Sequence, residues 1–145
     1  MTIVVAIDPG KSKCGIVIAD LDQKVVHEAI ILQTNLLKDY LKKILQKEDN
    51  PQFLIGNGTG SKKQIDVISE FVSNLIIAEE KNSTLKSKQR YFDIFPLKGI
   101  KSFLPREIFI LDKNLDALAA LIILEDYYEC KFELSKDITP KTWLK

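Results

Sequence analysis

Three short apolar segments in the first 32 residues, with connections too short to contain a helix, constrain the fold most. They span residues 2–8, 15–19 and 25–32. The turn-forming sequences Asp8-Pro9-Gly10 and Asp20-Leu21-Asp22 follow the first two segments. Strands connected this closely pair antiparallel, because a parallel pair needs a crossover of about a dozen residues or more. The sequence therefore predicts a three-stranded antiparallel meander at the amino-terminal end.

The rest of the chain alternates helical and strand patterns. Apolar residues recur at helical spacing over 36–45, with Thr34 or Asn35 as the N-cap and an end near Asn50-Pro51. The elements predicted after it are a strand at 53–55, a helix containing the apolar positions 65, 68, 71 and 72, a strand at 75–78, a basic helix at 84–95, a loop at 96–105 and an apolar helix at 115–128. This order predicts an α/β fold with a mixed five-stranded sheet, three antiparallel strands then two parallel, and helices on both faces.

The bulk composition predicts one ordinary domain. A length of 145 residues with 46% hydrophobic residues suits a single core spanning 1–145, with 131–145 as a peripheral tail. Cys14 and Cys130 have neither disulfide nor zinc-site spacing, which is typical of a reducing compartment. No segment has the pattern of a signal peptide or the length of a membrane span. We expect a cytoplasmic protein without a membrane partner.

Carboxylates from distant parts of the chain are the candidate catalytic groups. Asp8 ends the first strand, Glu79-Glu80 follow the fifth strand, and Asp116 begins the last helix. Each has an ordinary explanation: a turn residue, a solvated strand end and a helix cap. If they converge on one edge of the sheet, their mutual repulsion calls for divalent cations such as Mg²⁺ or Mn²⁺. Two such ions would support phosphodiester hydrolysis without a histidine, and the only histidine, His27, is predicted to lie on the surface.

Basic residues are concentrated in one segment of a nearly neutral chain. The full chain has a net charge of +1, whereas the segment 81–106 carries +6 and the remainder −5. The segment contains one acid, Asp93, and the basic residues Lys81, Lys86, Lys88, Arg90, Lys98, Lys101 and Arg106. A solvated helix face and a phosphate-contacting surface are equal alternatives for this segment.

Four segments resemble the YqgF (RuvX) family, in that family's order, over about residues 2–130. Residues 3–15, IVVAIDPGKSKCG, resemble its opening hairpin, and residues 55–59, IGNGT, resemble its fourth-strand loop, which the Tex transcription factor shares. Residues 77–85, IAEEKNSTL, resemble its fifth-strand signature, and residues 115–128 are similar to its closing helix. The resemblance implies a ribonuclease-H-like fold and a nuclease that trims the precursor of small-subunit (16S) ribosomal RNA.

The resemblance also implies roles for individual residues. By motif position, Asp8, Glu80 and Asp116 would be the catalytic, metal-binding carboxylates. The positions implied around the substrate groove are Gly10, Lys13, Gly15, Asn57 and Thr59. The sequence departs from the family in having Glu79-Glu80 where Asp-Glu is usual, Lys81 where Arg often follows, and Leu115 where many relatives have a second acid. Any extra ligand near the last helix would then be Asp112.

The leading hypothesis is a Mg²⁺- or Mn²⁺-dependent endonuclease acting on structured RNA, as a monomer or weak homodimer. Its phosphate contacts would come from Lys13, Lys81, Lys86, Lys88 and Arg90. One alternative is a resolvase of four-way DNA junctions, which would need a dimer to cut two strands symmetrically. Another is a catalytically silent nucleic-acid-binding or ribosome-assembly factor. A phosphate-binding ATPase domain of the actin and sugar-kinase type is disfavoured, because those proteins need two such domains and this chain is too short.

Overall fold

The computed structural model describes residues 1–58, 61–79, 90 and 112–136, with the backbone alone for residues 112–116. Its strands form one mixed sheet in the order β5-β4-β1-β2-β3-β6. The strands are β1 (Ile3–Asp8), β2 (Lys13–Asp20), β3 (Val25–Gln33), β4 (Gln52–Gly56), β5 (Leu75–Ala78) and β6 (Glu133–Leu134). The first three strands pair antiparallel, β4 and β5 extend the sheet parallel to β1, and β6 is parallel to β3. The predicted α/β class and mixed sheet are confirmed, but the predicted strand count of five is wrong.

Helices cover both faces of the sheet, as predicted. A 3₁₀ turn (Thr34–Leu36) leads into α1 (Leu37–Lys47), and α2 (Lys62–Ser69) and α3 (Asp112–Tyr128) follow. Because side chains alternate along a strand, β1 contributes to two separate hydrophobic clusters. Val4 and Ala6 pack in the cluster with α3, whereas residues 3, 5 and 7 pack in the cluster with α1 and α2. None of the described helices is long and apolar enough to cross a membrane.

The direction of α3 follows from the contact at its carboxyl end. The Tyr128 hydroxyl donates a hydrogen bond of 2.7 Å to Oε1 of Gln52, the residue that begins β4. The chain then turns through Glu129, with φ of 52°, and enters β6 beside Val25 and Val26 at the start of β3. Both contacts lie at the amino ends of the parallel strands. Since α3 packs against the sheet, its amino end lies toward the carboxyl ends of β1 and β4.

The helix boundaries differ from the predictions in three places. The N-cap prediction for α1 is wrong, because the 3₁₀ turn delays the start of α1 to Leu37, and its cap residue, Leu36, makes no side-chain capping bond. Residues 71 and 72 lie beyond the end of α2, although both pack against the sheet. Finally, α3 begins three residues earlier than predicted, so Asp116 lies inside its first turns rather than at its start.

The beginning of the predicted peripheral tail is part of the core. Phe132 is only 1% exposed and packs in the cluster with α3, and β6 adds an edge to the sheet. The prediction is therefore wrong for residues 132–134. Residues 137–145 lie outside the described part of the chain, as do the predicted loop at 96–105 and, apart from Arg90, the predicted helix at 84–95.

Candidate functional site

Asp8 ends β1 at the carboxyl edge of the sheet. It pairs with Gly15 of β2, while the preceding residue, Ile7, pairs with Ile55 of β4. The next residue of β4, Gly56, therefore lies on the other side of Asp8 in the same row. Glycine has no side chain, so neither neighbouring strand places one beside the Asp8 carboxylate. The half-buried Asp8 thus lies between two glycine positions in this row.

Strand alternation assigns Asp8 to the face that α3 covers. Val4 and Ala6 share its parity in β1, and both pack in the α3 cluster. In β5 the same cluster contains Ala78, which pairs with Gly56. The row across the carboxyl edge therefore places Ala78, Gly56, Asp8 and Gly15 side by side under the amino-terminal part of α3.

The hairpin after Asp8 is fixed by a close backbone approach and by Thr34. A Cβ on Gly10 would overlap the backbone carbonyl oxygen of Lys13, so the turn requires glycine. The Thr34 hydroxyl donates a 2.9 Å hydrogen bond to the Gly10 carbonyl, and the Thr34 amide donates at 2.9 Å to the Ser12 carbonyl. Thr34 thereby holds the hairpin instead of capping α1. The side chains of Lys11, Ser12 and Lys13 are exposed at this edge.

The amino-terminal turns of α3 reach the level of Asp8. From Tyr128 back to Asp116 the helix rises about 18 Å, whereas β4 spans about 13 Å from Gln52 to Gly56. Ala117 is fully buried and lies in the same cluster as Ala6 and Ala78. The backbone of Asp116 is therefore near the row that contains Asp8. Its side chain lies outside what the structure describes.

The loop after β4 adds polar and basic groups to the same edge. The Asn57 amide donates a 2.9 Å hydrogen bond to the Ala78 carbonyl, so the β4–β5 pairing continues past Gly56. The Asn57 side chain is exposed. At the start of α2, Lys62 and Lys63 are exposed as well. Sequence reasoning missed these two lysines, although their position directly after a glycine-rich turn that ends a buried strand was the available signal.

Several predicted site residues lie outside the described part of the chain. These are Glu80, Thr59, Lys81, Lys86 and Lys88. Glu79 is described and exposed, directly after β5. Among the described side chains no group of three Asp, Glu, His or Cys residues has an arrangement that would hold a metal. That set contains Asp8 but neither Glu80 nor the side chain of Asp116, so the predicted three-carboxylate site remains a prediction.

Arg90 lies away from Asp8, at the other end of α3. Its guanidinium pairs with Glu125, with Nε 3.1 Å from Oε1 and Nη2 3.2 Å from Oε2. Nη2 also donates at 2.8 Å to the Phe132 carbonyl, and the Phe132 amide donates at 2.8 Å to Glu125. Burial raises the pKa of Glu125, while the Phe132 amide and the Arg90 charge oppose that rise. Because Arg90 joins α3 to β6, its position does not favour the predicted phosphate contact.

The remaining candidate side chains have structural positions. His27 is exposed, which confirms its predicted surface location. Cys14 is buried, with its Sγ 3.6 Å from the Leu32 carbonyl, and Cys130 is half-buried against the α3 cluster. Cys14 and Cys130 are not joined in a disulfide.

Compared with known proteins, the chain matches no protein-family model, and no curated protein matches it significantly. The function is therefore inferred from the fold and from the residues at the carboxyl edge of the sheet. Together they define an α/β protein with a carboxylate, a glycine-determined hairpin and exposed lysines at the carboxyl edge of its sheet.

Proposed function

We propose that this protein is a metal-dependent nuclease of the ribonuclease-H-like class, related to the YqgF family. The observation that supports it is the position of Asp8. This carboxylate lies at the end of β1, between Gly15 and Gly56, on the face covered by α3. Ligands of α/β sheets bind outside the carboxyl ends of parallel strands, which is the edge that Asp8 occupies.

The proposed partner of Asp8 is Glu80 rather than the neighbouring Glu79. In β5, Ile76 and Ala78 contribute to the α3 cluster, whereas Leu75 belongs to the opposite cluster. Ala78 is thus the last residue of β5 on the face of Asp8, and we assign the second carboxylate to Glu80 because its motif position in the resemblance to the YqgF family implies it. The third is Asp116, because its backbone lies in the turns of α3 that approach the carboxyl edge.

The donors fit hard divalent cations. Carboxylate oxygens are the ligands that Mg²⁺ and Mn²⁺ prefer. Asp8, Glu80 and Asp116 would hold two such ions. When bound, the ions would supply an activated water and charge stabilisation for the leaving oxygen.

Structured RNA is the proposed substrate, most specifically the precursor of small-subunit (16S) ribosomal RNA. Exposed lysines lie in the segments that follow β1 and β4 at the same edge of the sheet as Asp8: Lys11 and Lys13 on the β1–β2 hairpin, and Lys62 and Lys63 at the start of α2. Lysines at such positions bind phosphates and orient the scissile bond, while water attacks phosphorus and the P–O bond to the leaving oxygen breaks.

A cleavage panel tests the proposal. The substrates are precursor 16S ribosomal RNA, an unstructured single-stranded RNA and a four-way DNA junction, each with Mg²⁺ or Mn²⁺. We expect cleavage of the precursor by the wild type and a loss of about 100-fold or more in D8N, since metal binding supplies several kcal/mol. The matched control D49N removes the same charge at an exposed residue between α1 and β4 and should cleave normally.

Each other outcome contradicts a named part of the proposal. Cleavage of the DNA junction alone would replace the RNA substrate with a resolvase activity. Tight RNA binding without cleavage by the wild type would indicate a catalytically silent assembly factor. Normal cleavage by D8N would overturn the assignment of Asp8.

A further inference from the structure

A cavity of about 500 Å³ lies on the face of the sheet that α1 covers, opposite to the α3 face. It is near the amino end of β1, whereas Asp8 is at the carboxyl end. It is bounded by α1 and by the strands β1, β2 and β3. Its floor is apolar and consists of Ile3, Ile18 and Ile44. Sites for small organic ligands typically have volumes of about 300–1,000 Å³ and mainly apolar walls. The size and the floor of this cavity match that class of site.

A β-bulge directs two consecutive polar residues of β3 toward this cavity. Ile18 pairs with Glu28 and Ala19 pairs with Val26, which leaves His27 without a partner in the register. Val26 packs in the α3 cluster, yet Ile30, of the same parity, packs in the α1 cluster, so the strand changes face at the bulge. Bulges redirect side chains and are frequent next to binding sites. As a result both His27 and Glu28 line the cavity.

The polar wall on the strand side is internally bonded. Tyr40 of α1 donates a 3.1 Å hydrogen bond from its hydroxyl to Oε1 of Glu28. Burial, together with the negative charge of Glu28, raises the pKa of the Tyr40 phenol well above its usual value. The phenol therefore remains a donor at physiological pH, and Oε1 of Glu28 already accepts one hydrogen bond.

The helix side of the cavity carries two cations. Lys43 and Lys47 both line the cavity and are four residues apart, hence on one face of α1. In the described part of the chain, neither lysine has a carboxylate within 4.0 Å. Like charges at this spacing repel each other in a helix, and an anion bound between them would relieve the repulsion. Glu28 and Glu48 are the two carboxylates at the cavity that would compete with a bound anion for these lysines.

We propose that this cavity binds a small organic anion with an apolar body, such as an aryl-alkyl carboxylate. The apolar body contacts Ile3, Ile18 and Ile44, and the carboxylate contacts Lys43 and Lys47. His27 and the Tyr40–Glu28 pair close the polar side and donate or accept hydrogen bonds. This site is independent of the proposed nuclease site, because it lies on the opposite face and uses none of the residues at the carboxyl edge.

Three probes with the same apolar body test the assigned chemistry. They are 4-phenylbutyrate, 4-phenylbutan-1-ol and 4-phenylbutylamine, titrated into the full chain and followed by amide chemical shifts in NMR. We expect shifts centred on Ile18, His27 and Lys43, and binding of the carboxylate about tenfold tighter than the alcohol. Two solvent-exposed ion pairs support a preference of that size. The amine should bind no more tightly than the alcohol.

Variants separate the charge contribution from the apolar contribution. K43A/K47A should reduce carboxylate binding to the level of the alcohol, whereas K38A/K42A, the matched pair elsewhere on α1, should not. I18W fills the cavity and should abolish binding of both the carboxylate and the alcohol. Tighter binding of the amine, equal binding of the three probes, or shifts outside the cavity would overturn the proposal. The wild-type titrations and the lysine variants decide it even if I18W fails to fold.

Discussion

The hairpin that follows Asp8 requires a residue without a side chain at position 10. The atom that a Cβ would overlap is the backbone oxygen of Lys13, which cannot move without shifting the hairpin after Asp8. We expect G10A to lower the free energy of unfolding by about 1–3 kcal/mol, in the range of overpacked positions. Urea denaturation measures this, with S12A as the control because the Ser12 side chain is exposed. Equal stability of G10A and the wild type would contradict the close approach.

The Arg90–Glu125 pair gives a prediction with a defined pH dependence. Glu125 is 8% exposed and Arg90 14% exposed, and removing one partner of a buried pair costs about 3–5 kcal/mol. The folded pKa of Glu125 is raised, so its contribution to stability falls as pH rises from its unfolded pKa through its folded pKa. Without the charge of Arg90, the pKa of Glu125 in the folded protein is raised further.

We therefore expect R90A to be more destabilised, relative to the wild type, at pH 7.5 than at pH 4.5. Urea midpoints of R90A and the wild type at the two pH values measure the difference. The double variant R90A/E125Q is the control, because it has no carboxylate to protonate at position 125 and should lose this pH dependence. A destabilisation of R90A that does not change with pH would argue against an uncompensated Glu125 carboxylate.

The position of Asp8 could be predicted from the sequence, but the partners of Thr34 and Arg90 could not. The position of Asp8 at a strand end follows from an apolar run and a Pro-Gly turn, both of which are local. Thr34 was expected to cap a helix, but its hydroxyl binds the Gly10 carbonyl 24 residues earlier. Arg90 was expected on a basic surface, but its partner Glu125 lies 35 residues later. Contacts between residues this far apart have no signature in the local pattern.

The strands with a clear apolar run were predictable from the sequence. The elements whose bounds depend on tertiary contacts were not. The strands β1 to β5 each have a local apolar run, and each was predicted to within a few residues. In contrast, β6 has only two residues and forms because Phe132 is anchored in the core. The three residues before Leu115 are polar, so periodicity did not indicate that α3 begins at Asp112. At β6 a tertiary contact determines the structure, and at the start of α3 the helix extends into polar residues that have no helical apolar period.

The role of the tail as a structural element can be tested at Phe132. We expect F132A to lower the free energy of unfolding by about 3–5 kcal/mol, because a fully buried aromatic ring is replaced by a cavity. Chemical denaturation gives the value, and K136A, at an exposed position in the same segment, should change it by less than about 0.5 kcal/mol. A small effect of F132A would contradict a structural role of Phe132 in the core.

At the scale of the whole molecule, the two proposed sites lie on opposite faces and at opposite edges of one sheet. The carboxyl edge carries Asp8 under α3, and the cavity lies under α1 near the amino end of β1. Sites that share no contacts usually behave additively, within about 0.5 kcal/mol. We expect K43A/K47A to cleave RNA at a rate within about twofold of the wild type. A larger change in cleavage rate would indicate that the sites are coupled.

The location of bound Mn²⁺ would show directly whether Asp8 holds a metal ion. Mn²⁺ broadens the NMR signals of nearby amides, and the carboxyl edge of the sheet is roughly 20 Å from its amino edge. We expect broadening at Asp8, Gly15 and Asn57 but not at Val25 or Glu133, and we expect D8N to abolish this broadening. Broadening that is absent, that is centred on the amino edge, or that persists unchanged in D8N would contradict a metal site built on Asp8.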